Sequence, residues 1–263
     1  MAFAWKEALP GVFHIQDAMG VCMTLLVGET RALLVDTGYG AEDVAAFVGT
    51  LTDLPLTVVL THGHHDHALG SRWFGKVYLL PEDFPVYETY TGPFWRRDVW
   101  AGAAAKGSTG EAAFLGDPMP VPAALTPGDI DLGGLTARIV PCPGHTPGSA
   151  AVYVPEKRLL LTGDNWNPCT WLFFPEALSA QGYRRNAMKL LELPFDWALC
   201  PHQFGLFDRG MPEKFWRGLT DEALDTAEPT DAGKRVDRPT VQAALPEGQI
   251  LVFDVEKYRK ERA

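Results

Sequence analysis

An α/β fold of stacked layers is what the sequence predicts, and three observations predict it. Short apolar, β-branched runs recur along the chain and alternate with segments of helical spacing. Five of those runs end at, or lead into, a histidine or aspartate, and chemistry in layered α/β folds gathers at the carboxyl ends of strands. The composition, 46% hydrophobic and 21% charged over 263 residues, is that of a globular chain able to bury a sizeable core.

The first strands fall at 12–16, 22–27 and 32–36, separated by turn residues at Met19-Gly20 and Gly28-Glu29, as in a meander. The third closes on Val35-Asp36-Thr37-Gly38, where the aspartate either caps a turn or orients a metal ligand from behind. Residues 42–51 have helical spacing, with Val44, Phe47, Val48 and Leu51 on one face. The run 56–60 reads as a buried strand, and it leads into Thr61-His62-Gly63-His64-His65-Asp66-His67. Four of the seven histidines lie in that loop. Imidazole and carboxylate are the usual ligands of zinc and its neighbours. His62 and His64, two apart in an extended segment, point to one side. Asp66 and His67 follow at a turn and face another direction, so one loop can serve two adjacent metal positions. His14 and His65 read as structural or merely exposed.

A further strand is expected at 76–80. Residues 81–120 then mix aromatics (Phe84, Tyr87, Tyr90, Phe94, Trp95, Trp100) with Gly, Pro and Ala, without an amphipathic period, and read as an insertion: a lid, a substrate wall, a surface excursion or a homo-oligomer contact. Strands resume at 130–132 and 135–140, the second running into Pro143-Gly144-His145-Thr146-Pro147-Gly148, a rigid turn around a histidine. A hairpin is expected from 151–154 and 158–162, ending on Gly163-Asp164, and 197–200 delivers His202. A second aromatic insertion occupies 165–192. Trp166 and Trp171 can wall a pocket or fill a core, and a helix is expected at 181–191 with Tyr183 on its apolar face. A helix at 212–227 and a strand at 248–255 close the chain, which without linker or repeat reads as a single domain over 1–263.

A net charge of −10 argues against nucleic acid or an anionic membrane as partner and fits a small-molecule substrate. No apolar run approaches the ~20 residues of a membrane span. The start lacks the basic and apolar regions of a signal peptide. Cys22, Cys142, Cys169 and Cys200 are scattered like reduced thiols, so a cytoplasmic protein is expected.

Taken together, His62-x-His64-x-Asp66-His67 followed by His145, Asp164 and His202 resembles the metallo-β-lactamase superfamily over about residues 10–205. The resemblance implies a four-layer αβ/βα sandwich with a dinuclear site at one edge of its two sheets. It implies His62, His64 and His145 on one metal, Asp66, His67 and His202 on the other, Asp164 bridging them, and Asp36 steadying a histidine. Two departures stand out: Ala68-Leu69-Gly70 where the family often has a glycine pair, and Pro201 before the last histidine. The expected function is that of a dizinc hydrolase in which a metal-bridging hydroxide attacks an ester, thioester, lactone or related carbonyl, with Asp66 handling its proton. Iron or manganese would also suit such ligands. Histidine at position 64, where flavodiiron relatives carry glutamate, favours zinc over a diiron oxidoreductase, and a non-catalytic metal-binding protein is the remaining rival class. A glyoxalase II-like thioesterase would need basic residues for glutathione, and Lys214, Arg217, Lys234 and Arg235 form no pattern for it. A lactonase would place a tyrosine beside the metals, for which Tyr183 is the candidate. Trp166, Trp171 and Tyr183 are thus the expected substrate-binding residues.

Overall fold

Strand residues that are buried on both faces organise the molecule. A computed structural model describes residues 3–233 and 237–262, so Lys234 and Arg235 lie outside the described residues. The chain begins with β1 (Ala4–Leu9), β2 (Val12–Gln16), β3 (Cys22–Val27) and β4 (Ala32–Val35), each antiparallel to the one before. Helix α1 (Val44–Val48) then crosses to β5 (Leu56–Val59), parallel to β4. After the single turn α2 (His65–Ala68), β6 (Tyr78–Leu79) and later β7 (Ala123–Ala124) extend the same sheet, which has seven strands in sequence order.

Between β6 and β7 lie α3 (Phe84–Tyr90), α4 (Pro93–Ala105) and α5 (Glu111–Gly116). These helices correct the expectation that 81–120 lacks helical periodicity. The buried face of α4 is Arg96, Val99, Trp100 and Ala103, a helical spacing hidden because one of its members is charged. The buried Arg96 guanidinium donates to the carbonyls of Phe114 and Asp117, which tie α4 to α5.

The second sheet contains β8 (Gly128–Asp131), β9 (Thr136–Pro141), β10 (Ala150–Val154), β11 (Leu159–Leu161), β13 (Trp197–Leu199) and β14 (Phe207–Asp208), in the order β14-β13-β11-β10-β9-β8. A third sheet, of four strands, runs β12-β17-β16-β15, from β12 (Cys169–Leu172), β15 (Glu228–Thr230), β16 (Thr240–Ala244) and β17 (Ile250–Asp254).

Alternation along the strands builds the layers. Val152, Val154, Leu159 and Leu161 of the second sheet meet Leu26, Leu33, Val35 and Val59 of the first. Their neighbours Ala151, Tyr153 and Leu160 face outward onto α6 (Ala180–Ala187), α7 (Gly210–Gly218) and the third sheet. Leu34 and Val58 face the other way, onto Val44 and Val48 of α1 and Tyr87 of α3. A period of two with both faces covered gives the continuous apolar runs of the sequence. The arrangement is the expected αβ/βα sandwich.

Two expected helices are shorter than their patterns. The 181–191 segment continues beyond α6 as a 3₁₀ turn, Met188–Glu192. The 212–227 segment breaks at Leu219-Thr220, where the Thr220 hydroxyl accepts from Ala223 N at 3.1 Å and starts α8 (Asp221–Asp225) afresh. The final helix is α9 (Val255–Arg262). Among the described residues no helix is long and apolar enough to cross a membrane.

Candidate metal centre

Five strand ends deliver the centre. Past β4, Asp36 takes a left-handed backbone (φ +64°), a conformation aspartate tolerates better than most residues. That turn brings its carboxylate back to β5, where it accepts from Thr61 N at 2.7 Å and from the Thr61 hydroxyl at 2.9 Å, and onward to His67 Nδ1 at 2.9 Å. Past β5 the chain bends at His62, His64 is extended and α2 begins directly after it, so Asp66 and His67 turn away from the first pair. Gly63 between them is required by space, because a Cβ there would sit 2.4 Å from the backbone nitrogen of Tyr87. His145 follows β9, Asp164 follows β11, and His202 follows β13.

The structure brings all seven ligand-type residues together. Ligand atoms of His62, His64 and His145 lie within 4.8 Å of one another, as do those of Asp66, His67 and His202, and those of His62, His67 and Asp164. Asp164 stands between the groups: its Oδ2 is 3.4 Å from His145 Nε2, and its Oδ1 is 3.5 Å from His67 Nε2 and 3.1 Å from His202 Nε2. His62, His64, His67 and His145 are buried, and the His202 side chain remains one-third exposed at the mouth.

Each of the four buried rings is held by its outer nitrogen. His67 Nδ1–H donates to Asp36, and His145 Nδ1–H donates to the Trp171 carbonyl at 2.7 Å. His64 Nε2–H donates to Glu176 Oε1 at 2.6 Å. The Thr61 hydroxyl is committed to Asp36, so its oxygen accepts from His62 Nδ1–H at 3.1 Å. Carboxylates and carbonyls only accept, so each outer nitrogen carries a proton and each inner nitrogen faces one shared space. The consequence is a conflict in the absence of a cation. His145 Nε2 and His64 Nδ1 face each other at 2.9 Å, and His62 Nε2 and His67 Nε2 are buried without a hydrogen-bond partner. Inward-facing imidazole nitrogens beside two carboxylates fit divalent metal ions.

The charges follow the same division. Burial lowers the His62 pKa well below the ordinary histidine value and pulls His64 down to about 4 despite Glu176, so both are neutral, as ligands must be. Burial would raise Asp66, but His67, His65 and His202 outweigh it and hold the carboxyl at about 2. Asp164 is likewise held well below its usual value by His202 and His67 against its burial. Burial would lower His67 and His202, but Asp66, Asp36 and Asp164 raise the first, and Asp164 and Asp66 the second.

A cleft of about 650 Å³ opens over His64, Asp66, His145, Asp164 and His202. Its walls include Tyr39, His65, Trp95, Trp171, Phe173 and Phe174, together with the exposed Cys169. Of the three expected substrate-binding residues, only Trp171 lines it. Trp166 is fully buried with its indole N–H donated to Gln249 Oε1 at 2.9 Å, a core role. Tyr183 is fully buried too, its hydroxyl donating to the Asn165 carbonyl, and its ring backs the Gly144 turn instead of reaching the cleft. The helix face that carries Tyr183 is turned to the core, which overrides the lactonase expectation.

Two supporting residues escape sequence reasoning, and a third, His14, is the structural histidine expected of it with a partner the sequence does not show. Buried Asp83 accepts from Gly63 N at 2.7 Å, the Thr146 hydroxyl at 2.8 Å and Gly148 N at 2.7 Å, joining the 62–67 loop to the His145 turn. Glu176 holds His64, as above. His14, inside β2, bonds the Gln203 carbonyl through Nε2 at 3.2 Å and so tethers the residue after His202. Each is an isolated polar residue whose partner lies far away in the chain, which leaves no local signal.

The model of the metallo-beta-lactamase superfamily matches residues 18–202. A protein of Aquifex aeolicus is 32% identical over 140 residues, 51% of this chain and 59% of that protein, so the match spans less than two thirds of its length. The acyl-coenzyme A thioesterase MBLAC2 of Gallus gallus is 24% identical over 237 residues, covering 82% of this chain and 80% of its own. Among solved structures, TTHA1623 in a di-iron-bound form superimposes with a TM-score of 0.56 at 26% identity, covering 74% of this chain and 92% of that one.

Proposed function

The chain belongs to the metallo-β-lactamase superfamily, and from that premise we propose that it is a dinuclear metal hydrolase of small esters or thioesters with an apolar acyl group. The observation that carries this reading is the set of inward-facing nitrogens on four buried histidines, each held from behind by its other nitrogen, beside Asp66 and Asp164. His62, His64 and His145 would hold one ion, Asp66, His67 and His202 the other, with Asp164 shared. Two divalent ions there would supply a water of near-neutral pKa and a Lewis acid for the substrate oxygen. Asp66, ionised at neutral pH and at the floor of the cleft, is placed to accept a proton or hydrogen bond from the nucleophile. The nitrogen-rich ligand set favours zinc, although a relative takes iron.

The walls of the cleft indicate the substrate. Trp95, Trp171, Phe173 and Phe174 offer apolar faces, and no Lys or Arg lines it among the described residues. Such apolar faces suit an acyl chain or ring. The thioesterase relative favours a thioester, whose acyl half would occupy this cleft.

The test is a hydrolysis panel of esters, thioesters, lactones and β-lactams on metal-loaded protein, with and without chelator. Turnover of apolar acyl esters or thioesters, lost with the metal and restored by zinc, is expected. Activity that resists complete metal removal would contradict the proposal.

A further inference from the structure

Glu176 lies in the turn after β12, between Pro175 and Ala177, just past Phe173 and Phe174 of the cleft wall. Its carboxylate accepts from His64 Nε2–H at 2.6 Å and also bonds the Tyr90 hydroxyl. The turn that carries it is fastened from two sides. Leu178 N donates to the Gly144 carbonyl at 2.8 Å, next to His145. Lys257 of α9 spends all three of its N–H groups on carbonyls of this turn: Phe174 at 2.9 Å, Pro175 at 2.8 Å and Ala177 at 2.6 Å. Lys257 lies beyond residues 18–202, the span the superfamily model matches.

The charge distribution explains why a carboxylate belongs there. The second group of ligands has Asp66 as a member and Asp36 behind His67. The first has three histidines and only a share of Asp164. With Glu176 behind His64, each group has one carboxylate standing behind one histidine. A carboxylate behind a ligating imidazole fixes its tautomer and raises its basicity.

We propose that Glu176 is a positioning residue for the ion at His62, His64 and His145, presenting His64 through Nδ1, and that Lys257 holds Glu176 in place from the C-terminal helix. This rests on the dinuclear reading above. It makes the segment beyond residue 202 part of the metal centre's support.

Chelator-stripped wild type, E176Q and K257M are titrated with Zn²⁺ against a chromophoric competitor, and melts of the metal-free proteins establish that each is folded. Wild type is expected to bind two ions. E176Q keeps the size of the side chain but loses its charge. It is expected to weaken one of the two ions by about 10–100-fold and leave the other within about twofold. K257M is expected to weaken the same ion by a smaller factor. Two unchanged affinities in E176Q, or an even loss over both ions, would overturn the role of Glu176, and unchanged affinities in K257M would overturn that of Lys257. Wild type that binds one ion or none would instead sink the dinuclear reading itself.

Discussion

Asp66 and His14 show how much one side chain can decide in this chain. Asp66 is the carboxylate that can both hold an ion and take a proton, so D66N, equal in size, is expected to lower turnover of the metal-loaded protein by roughly 10²–10⁴-fold. Steady-state rates on any substrate found by the panel check this. His14 is buried, and burial pulls its pKa down from 6.5 to about 4. The unfolded chain therefore binds the proton more readily than the folded one. His14 contributes stability above pH 6.5 that is lost as the pH falls through the window from 6.5 to about 4. In H14Q, which keeps hydrogen bonding without titrating, the fall in melting temperature over that window is expected to be shallower. An equally steep fall would show that other groups dominate. The ligand residues were legible in the sequence because their order and spacing are local to strand ends. Asp83 and Glu176 were not, because each is defined only by a partner brought close by the fold.

Elements were legible where both faces are buried. Strands β2 to β5 and β10 to β11 present largely apolar runs, and the sequence shows them within a residue or two. Helix α4 was hidden by the buried Arg96 in its apolar face, and β15 by exposed residues and a proline, Glu228-Pro229-Thr230. Tyr183 and Trp166 differ from expectation for a related reason. Hydropathy marks a face as buried without saying whether it meets the core or a cleft. Strand β12 settles the matter for its own residues: Thr170 and Leu172 are buried while Trp171 faces the cleft, as strand alternation requires. W171A is therefore expected to raise KM about tenfold for long or aromatic acyl substrates and much less for acetyl esters. Equal effects on both would remove Trp171 from the substrate wall. The Trp171 carbonyl that holds His145 remains in this variant, since it belongs to the backbone.

Across the whole molecule, the centre bridges the two main sheets. Asp36 and the 62–67 loop come from the first, and His145, Asp164 and His202 from the second. Ions bound there contact both halves of the sandwich in the folded state alone, so metal binding adds directly to folding stability. Free metal at about a thousand times its Kd adds roughly 4 kcal/mol per site. For a chain of this size, the two sites together, about 8 kcal/mol, correspond to a melting temperature lower by roughly 15–30 °C after stripping, recovered on adding zinc. A melt unaffected by chelator would deny the coupling.

The most direct measurement is anomalous diffraction from crystals of metal-loaded protein at the absorption edge of the bound metal. Two peaks about 3.5–4 Å apart are predicted, one among His62, His64 and His145 and one among Asp66, His67 and His202, with Asp164 between them. A single peak, or none within reach of these seven side chains, would contradict the account.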